Sequence, residues 1–197
     1  NKYFFNEDYN FVSMENDFFY YEDKYGSLKI PKPSMSGQFQ LENASAAIAS
    51  LRVLENLKIR DEQIIKGIKN AYNSARLEEI KSGKLKDLVK NNKLIIDSSH
   101  NPGGSKAINE YLQTLNCNKH VIVGMMENKD HEKFINYFKN ISSLTVIDIP
   151  NQANAISGEK LKEKFKKFKN LNYVKNIEQA LKSLQLEKND IILITGS

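Results

Sequence analysis

Apolar and polar positions along the 197 residues follow two different rhythms. From Leu77 onward, short apolar runs alternate with stretches of helical spacing. The strand candidates are Leu77–Ile80, Leu94–Asp97, His120–Gly124, Leu144–Ile149, Tyr173–Val174 and Ile191–Thr195. Between them lie helical patterns at Gly104–Leu115, His131–Asn140, Gly158–Phe168 and Ile177–Leu184. The unbroken aliphatic run Leu94-Ile95-Ile96 suits a strand buried on both faces, as in parallel sheets. Regular βα alternation predicts an α/β domain: a right-handed, mostly parallel, doubly wound sheet of the Rossmann-like kind.

The earlier residues read differently. Tyr3 to Ile30 alternate aromatic and polar groups, with a turn at Lys24-Tyr25-Gly26-Ser27, which predicts a small antiparallel meander. Pro31 and Pro33 end it. From Leu41 the chain reads as a helix rich in alanine at 44, 46, 47 and 49, a composition that lets a neighbour pack close. Asp61-Glu62 opens a second helix, which runs out near Asn73-Ser74. The domain boundary is therefore placed between residues 1–75 and 76–197.

Composition narrows the function classes. A net charge of +5 and a pI near 9.0 favour anionic partners only mildly. The aromatic stretch is interleaved with Glu7, Asp8, Glu15, Asp17, Glu22 and Asp23, which repel phosphate, so no nucleic-acid partner is expected. Lysines from Lys160 to Lys169 alternate with Phe165 and Phe168, the pattern of an amphipathic helix with a solvated face. A mean hydropathy of −0.54 and the absence of any apolar run near ~18 residues argue against membrane residence. The single Cys117 excludes an internal disulfide and fits a reducing, cytoplasmic setting. Three scattered histidines lack ligand spacing, so no metal site is assigned. No glycine-rich P-loop or dinucleotide fingerprint follows a strand. The chain opens on Asn1 without a start methionine, as though inside a longer protein.

Candidate chemistry gathers where strands end. Asp97-Ser98-Ser99-His100 closes a predicted strand, and ligands of open α/β sheets bind at such carboxyl ends. Asn101 can cap and Pro102 can begin the next helix, whose N-terminus favours phosphate or carboxylate. Taken alone, Asp97 and His100 could simply close a turn. Arg76, a permanent cation with a forked donor set, suits phosphate oxygens or a surface salt bridge. Asn43 could donate to and accept from a purine edge, or stand as an exposed helix asparagine.

Five segments in order, residues 37–44 (GQFQLENA), 75–78 (ARLE), 97–102 (DSSHNP), 124–130 (GMMENKD) and 195–197 (TGS), resemble the folylpolyglutamate synthase / dihydrofolate synthase family of the Mur ligase superfamily. The resemblance covers essentially this whole chain but only the later part of a family protein. It implies a Mur ligase C-terminal domain preceded by the last strands and helices of the central ATPase domain. The implied activity is ATP-dependent ligation of L-glutamate to a folate or dihydropteroate carboxylate through an acyl phosphate, by a monomeric cytoplasmic enzyme. By that match Asn43, Arg76 and Asp97 bind ATP, His100 is catalytic and near the incoming glutamate, and Ser197 contacts the glutamate. ATP and Mg2+ are the implied cofactors, with magnesium ligands in the preceding part. Two departures stand out: Phe39 occupies a position where the family commonly has histidine, and Lys81–Asp87 forms a longer loop, expected to be a hairpin. A non-catalytic phosphate- or glutamate-binding remnant and another Mur-type amino-acid ligase are the alternative readings.

Overall fold

The computed structural model describes residues 2–14, 17–54 and 57–197, with side chains for all but 13 and 14. Glu15, among the acidic residues of the aromatic stretch, lies outside the described residues. The chain divides into two compact units, Asn1–Ser74 and Ala75–Ser197.

In the first unit, β1 (Tyr9–Met14), β2 (Phe18–Asp23) and β3 (Gly26–Pro31) form an antiparallel meander in that order. Alternation along β2 and β3 turns Phe19, Tyr21, Leu28 and Ile30 to one face. They pack with Leu41, Ala44 and Ile48 of helix α1 (Phe39–Val53) and with Ile64 and Ile68 of α2 (Asp61–Asn70). Asp23, at the β2–β3 turn, ties the layers together. Its carboxylate accepts from Arg52 of α1 at 2.8 Å and from the Tyr21 hydroxyl at 2.7 Å. Burial and that carboxylate push the Tyr21 hydroxyl far above its ordinary pKa, so it stays a donor.

The second unit is a six-stranded sheet in the order β4-β5-β9-β6-β7-β8. Its strands are β4 (Glu78–Ile80), β5 (Lys93–Asp97), β6 (Lys119–Gly124), β7 (Ser143–Ile147), β8 (Leu171–Val174) and β9 (Ile191–Gly196). All pairs are parallel except β4 with β5, so the mostly parallel α/β fold read from the sequence is present. Leu94, Ile122, Ile192 and Ile194 pack with residues of α3 (Lys84–Val89) and α7 (Ile177–Ser183). Alternate residues such as Ile95, Val121 and Leu193 turn to the opposite face. The remaining helices, α4 (Pro102–Gln113), α5 (His131–Asn136) and α6 (Gly158–Lys164), bury Ile108, Leu112, Phe134 and Leu161.

Three local expectations are corrected. Lys81–Asp87 is not a hairpin: after the bend at Gly83 the chain enters α3. Leu85, Leu88 and Val89 recur at helical spacing and join the cluster around Ala180 and Leu181. The pattern over Gly158–Phe168 stops being helical at Lys164, and Phe165 caps the helix with its own ring buried. The His131–Asn140 helix likewise ends at Asn136, before Asn140 turns left-handed.

At the amino edge of the sheet His120 is buried between Ser143 and Asp190. Its Nε2–H donates to the Asp190 carboxylate at 3.2 Å, and its Nδ1 lies 2.8 Å from the Ser143 hydroxyl. That cluster braces β6, β7 and the entry to β9 at the end of the sheet remote from the strand termini described next.

Candidate functional site

The carboxyl ends of β5, β6 and β9 lie side by side, because these strands are parallel neighbours in register. Asp97 pairs with Thr195, and Gly124 with Gly196. The contact between the last pair is close enough to require glycine. A Cβ on Gly196 would stand 1.9 Å from the Gly124 carbonyl oxygen, and the residue has φ +125°. The Ser197 N–H then donates to Gly124 O at 2.9 Å, and the Thr195 hydroxyl donates to Ser99 O at 3.2 Å. Thr195 is thus tied to the loop after β5, and Gly196 and Ser197 to the end of β6.

That loop is built around Asp97. Its carboxylate is 2% exposed, and each oxygen accepts one backbone N–H at 2.8 Å, from Ser99 and from Leu77. Beyond it, the Asn101 side chain accepts from Gly104 N at 2.9 Å and Pro102 opens α4, the cap the sequence suggested. A Cβ on Gly104 would sit 2.6 Å from Ser99, so this glycine lets the helix start close under the strand end. His100 is half-buried. Its Nδ1–H donates to Ser98 O at 2.9 Å, and Nε2 makes no hydrogen bond to that carbonyl.

Arg76 occupies an unusual turn. Ala75 (φ +54°) and Leu77 (φ +48°) are both left-handed without being glycine. Each such residue costs on the order of 1 kcal/mol and persists only where its surroundings fix it. Here Ala75 N donates to Glu78 Oε2, Ala75 O accepts from Ser98 N, and Leu77 N donates to Asp97 Oδ2, each at 2.8 Å. The Leu77 side chain is buried while Arg76 itself is exposed. The structure therefore brings the backbone of Arg76, Asp97, His100 and the Thr195–Ser197 terminus to one end of one sheet.

Asn43 belongs to the first unit, exposed on α1. Its Nδ2 donates to Gln40 Oε1 at 3.0 Å, which fixes the orientation of both amides. Gln40 is buried, and its Nε2 has no hydrogen-bond partner. It lines a cavity of about 410 Å³ with Lys32, Ser34, Gly37 and Leu41. Sequence reasoning quoted Gln40 within a motif but gave it no role; the signal was there, since glutamine and asparagine three apart face each other on a helix. Nothing local foretold the left-handed Leu77. Among the described residues no three carboxylate, histidine or cysteine groups gather as metal ligands.

Comparison with solved structures finds the same fold in larger proteins. E. coli FolC in complex with ADP aligns with a TM-score of 0.76 at 22% identity, over 98% of this chain and 44% of that one. Mycobacterium tuberculosis folylpolyglutamate synthase complexed with ADP and AMPPCP gives 0.80 at 18%, over 98% and 46%. A bifunctional folylpolyglutamate synthase/dihydrofolate synthase with Mn, AMPPNP and L-glutamate bound gives 0.79 at 20%, over 99% and 44%. The chain thus spans less than half the length of each. Comparison with curated protein sequences gave no match. Residues 76–197, the whole strand-and-helix unit whose carboxyl edge carries these groups, match the family described as Mur ligase, glutamate ligase domain, and the chain belongs to that family.

Proposed function

We propose that this chain is the later part of an ATP-dependent ligase that joins L-glutamate to a folate or dihydropteroate carboxylate. The observation that carries this reading is the strained turn presenting Arg76 beside Asp97, His100 and the N-terminus of α4. An exposed cation on a fixed backbone and a helix N-terminus at the same end of the sheet suit anionic oxygens. ATP supplies a γ-phosphoryl group to the acceptor carboxylate, leaving ADP. The amino group of glutamate then attacks the acyl carbon, phosphate leaves, and the ammonium proton must go to a base. His100 takes that proton at Nε2, which its hydrogen bond to Ser98 O leaves free. Ser197, beside Gly124 and at the same sheet edge, contacts the incoming glutamate.

In this reading Arg76 and Asp97 are nucleotide-binding groups of the second unit, and Asn43 of the first is assigned to adenine. The unmet Gln40 donor next to Asn43, at the rim of a cavity, supports that assignment. Residues 1–75 are read as the end of the central ATPase domain. Phe4, Val12, Leu54, Leu57 and Tyr72 are all exposed there, apolar surface that a larger domain would cover. Magnesium ligands fall to the preceding part of that domain. ADP, AMPPNP, Mn and L-glutamate are bound in similar solved structures.

The test is glutamate incorporation by the polypeptide carrying this chain behind its ATPase part, with dihydropteroate and tetrahydrofolate offered separately. Amide and ADP form in equal amounts with at least one of them, and Arg76→Ala lowers kcat/KM by about a hundredfold or more. Amide formation from neither acceptor, or an enzyme indifferent to Arg76→Ala, overturns the reading.

A further inference from the structure

We propose that the lysine-lined cavity between the loop after β6 and helix α6 is a subsite for a chain of γ-linked glutamates, the tail that an acceptor already carrying glutamate brings with it. The role in substrate binding rests on the ligase reading; the recognition of γ-linked carboxylates by this cavity does not.

Charge is not spread evenly over this chain. Residues 158–175 hold seven lysines and two glutamates, while the other 179 residues hold 22 basic and 22 acidic side chains. The whole formal charge of +5 therefore lies on the stretch from α6 to the residue after β8. All seven of these lysines are exposed. Two of them, Lys160 and Lys164, line a cavity of about 480 Å³ with Lys129, Glu127, Glu163 and Ile156. Among the described residues none of these three lysines and two glutamates makes a side-chain ion pair, so five charges line one opening unpaired.

The cavity adjoins the sheet edge already described. Gly124, whose carbonyl accepts from Ser197 N, leads into Met125 and Met126. Ile156 N donates to Met125 O at 3.1 Å and Glu127 N to Asn154 O at 2.8 Å, which laces the loops after β6 and β7 together. The His131 Nε2–H donates to Met126 O at 3.0 Å and ties the start of α5 to the same loop. The lining thus begins three residues past Gly124 on hydrogen-bonded backbone. A γ-linked glutamate chain repeats every five bonds, roughly 6 Å when extended, and each unit presents one α-carboxylate and one amide N–H. Lys160 and Lys164 stand four apart on α6, which sets their Cβ atoms about 5–6 Å apart. Successive α-carboxylates can therefore meet successive ammoniums, and Glu127 and Glu163 can accept from the N–H groups between them. A phosphodiester backbone has no donor for those carboxylates, and an extended α-linked chain turns successive side chains to opposite faces. Both fit the cavity less well.

Tetra-γ-glutamate and tetra-α-glutamate carry equal charge, so they separate linkage from charge alone. Each is titrated into the 197-residue chain and into the double variant Lys160→Gln, Lys164→Gln, whose substituted side chains are exposed and leave the core untouched. In the parent, the γ-linked peptide shifts the NMR signals of the Lys129, Lys160 and Lys164 amides, and it binds about fivefold or more tightly than the α-linked one. The double variant binds the γ-linked peptide about fivefold or more weakly, and added salt weakens binding to the parent. Equal affinity for the two linkages, or an oligothymidylate of equal charge binding at the same amides as tightly, makes the patch a general polyanion surface and overturns the proposal. Peptide binding that leaves these amides unmoved, or that the double variant retains in full, also overturns it. In the active enzyme, the double variant raises KM for an acceptor bearing three γ-linked glutamates about fivefold or more, with kcat and the KM values for ATP and a monoglutamyl acceptor unchanged. Equal effects on the two acceptors, or none on either, overturn the subsite even if the 197-residue chain fails to fold by itself. An enzyme that ligates glutamate to no acceptor sinks the ligase reading, and the peptide titration then decides the subsite alone.

Discussion

The two units differ in how completely they satisfy themselves. In Ala75–Ser197 the six residues of β6 and the six of β9 are all buried, helices supply further core, and the described apolar surface shows one large exposed side chain, Tyr137. In Asn1–Ser74 the other seven such residues lie exposed, Phe4, Val12, Phe18, Tyr25, Leu54, Leu57 and Tyr72. Among the described residues, the two buried side-chain atoms without a partner, Gln40 Nε2 and Ser45 Oγ, are in this unit as well. A meander with two helices can cover only one face of its sheet, whereas a sheet wound by helices can cover both. The contrast teaches that the second unit carries its own core and its own strained site. The first leaves more of its apolar side chains exposed.

The largest expected effect breaks the closed unit. Gly196→Ala forces a methyl into the Gly124 carbonyl at a φ that side chains rarely adopt. A loss of about 3 kcal/mol or more is expected. Denaturant titration read on β9 amides measures it; a change below ~1 kcal/mol would mean that the two strand ends are free to part.

Next comes the brace of the open unit. Arg52→Ala leaves the Asp23 carboxylate, 6% exposed on its side chain, without its cation. About 2–3 kcal/mol of the first unit's stability should go, below the cost of a fully buried pair because Arg52 keeps a tenth of its side chain exposed. An unaltered midpoint for the β2 and β3 amides would show that the meander is held by packing alone.

A smaller effect is pH-dependent and confined to the second unit. Burial by itself would raise the Asp190 pKa, but the Glu187 N–H at 2.7 Å and the His120 ring at 3.2 Å outweigh it and hold the carboxyl below its ordinary value. A depressed folded pKa adds stability that is complete above the unfolded value of ~3.9 and is lost as pH falls through the folded one. Asp190→Asn should therefore flatten the acid limb of the stability curve below about pH 4. Parallel curves for the two proteins there would exclude Asp190 as a contributor.

The smallest effect sharpens the contrast most. In the 197-residue chain, Tyr72→Ser should change stability by no more than ~0.5 kcal/mol, since Tyr72 is 66% exposed. On the ligase reading, the same change costs clearly more in a polypeptide that carries the proposed ATPase part. Equal small costs in both would mean that Tyr72 is not part of the covered face.

The sequence alone determined much of the second unit because its signals are local. Apolar runs bounded by polar turns marked six strands, and Asn101-Pro102 marked the start of α4 through cap chemistry confined to four residues. Parallel strands separated by helices have few topologies open to them, so the gathering of Asp97, His100 and Thr195–Ser197 at one edge followed from order alone. Tertiary structure decided what depends on partners distant in sequence. The segment after Gly83 became helix α3 with Leu85 and Leu88 packed on the cluster of Ala180 and Leu181, nearly a hundred residues on. Leu77 turned left-handed because the Asp97 carboxylate, twenty residues away, waits for its N–H. Gly196 had to be glycine because Gly124 lies against it across a strand pairing. Local periodicity carries no information about such pairings, because the free energy that fixes them exists only once the sheet has formed.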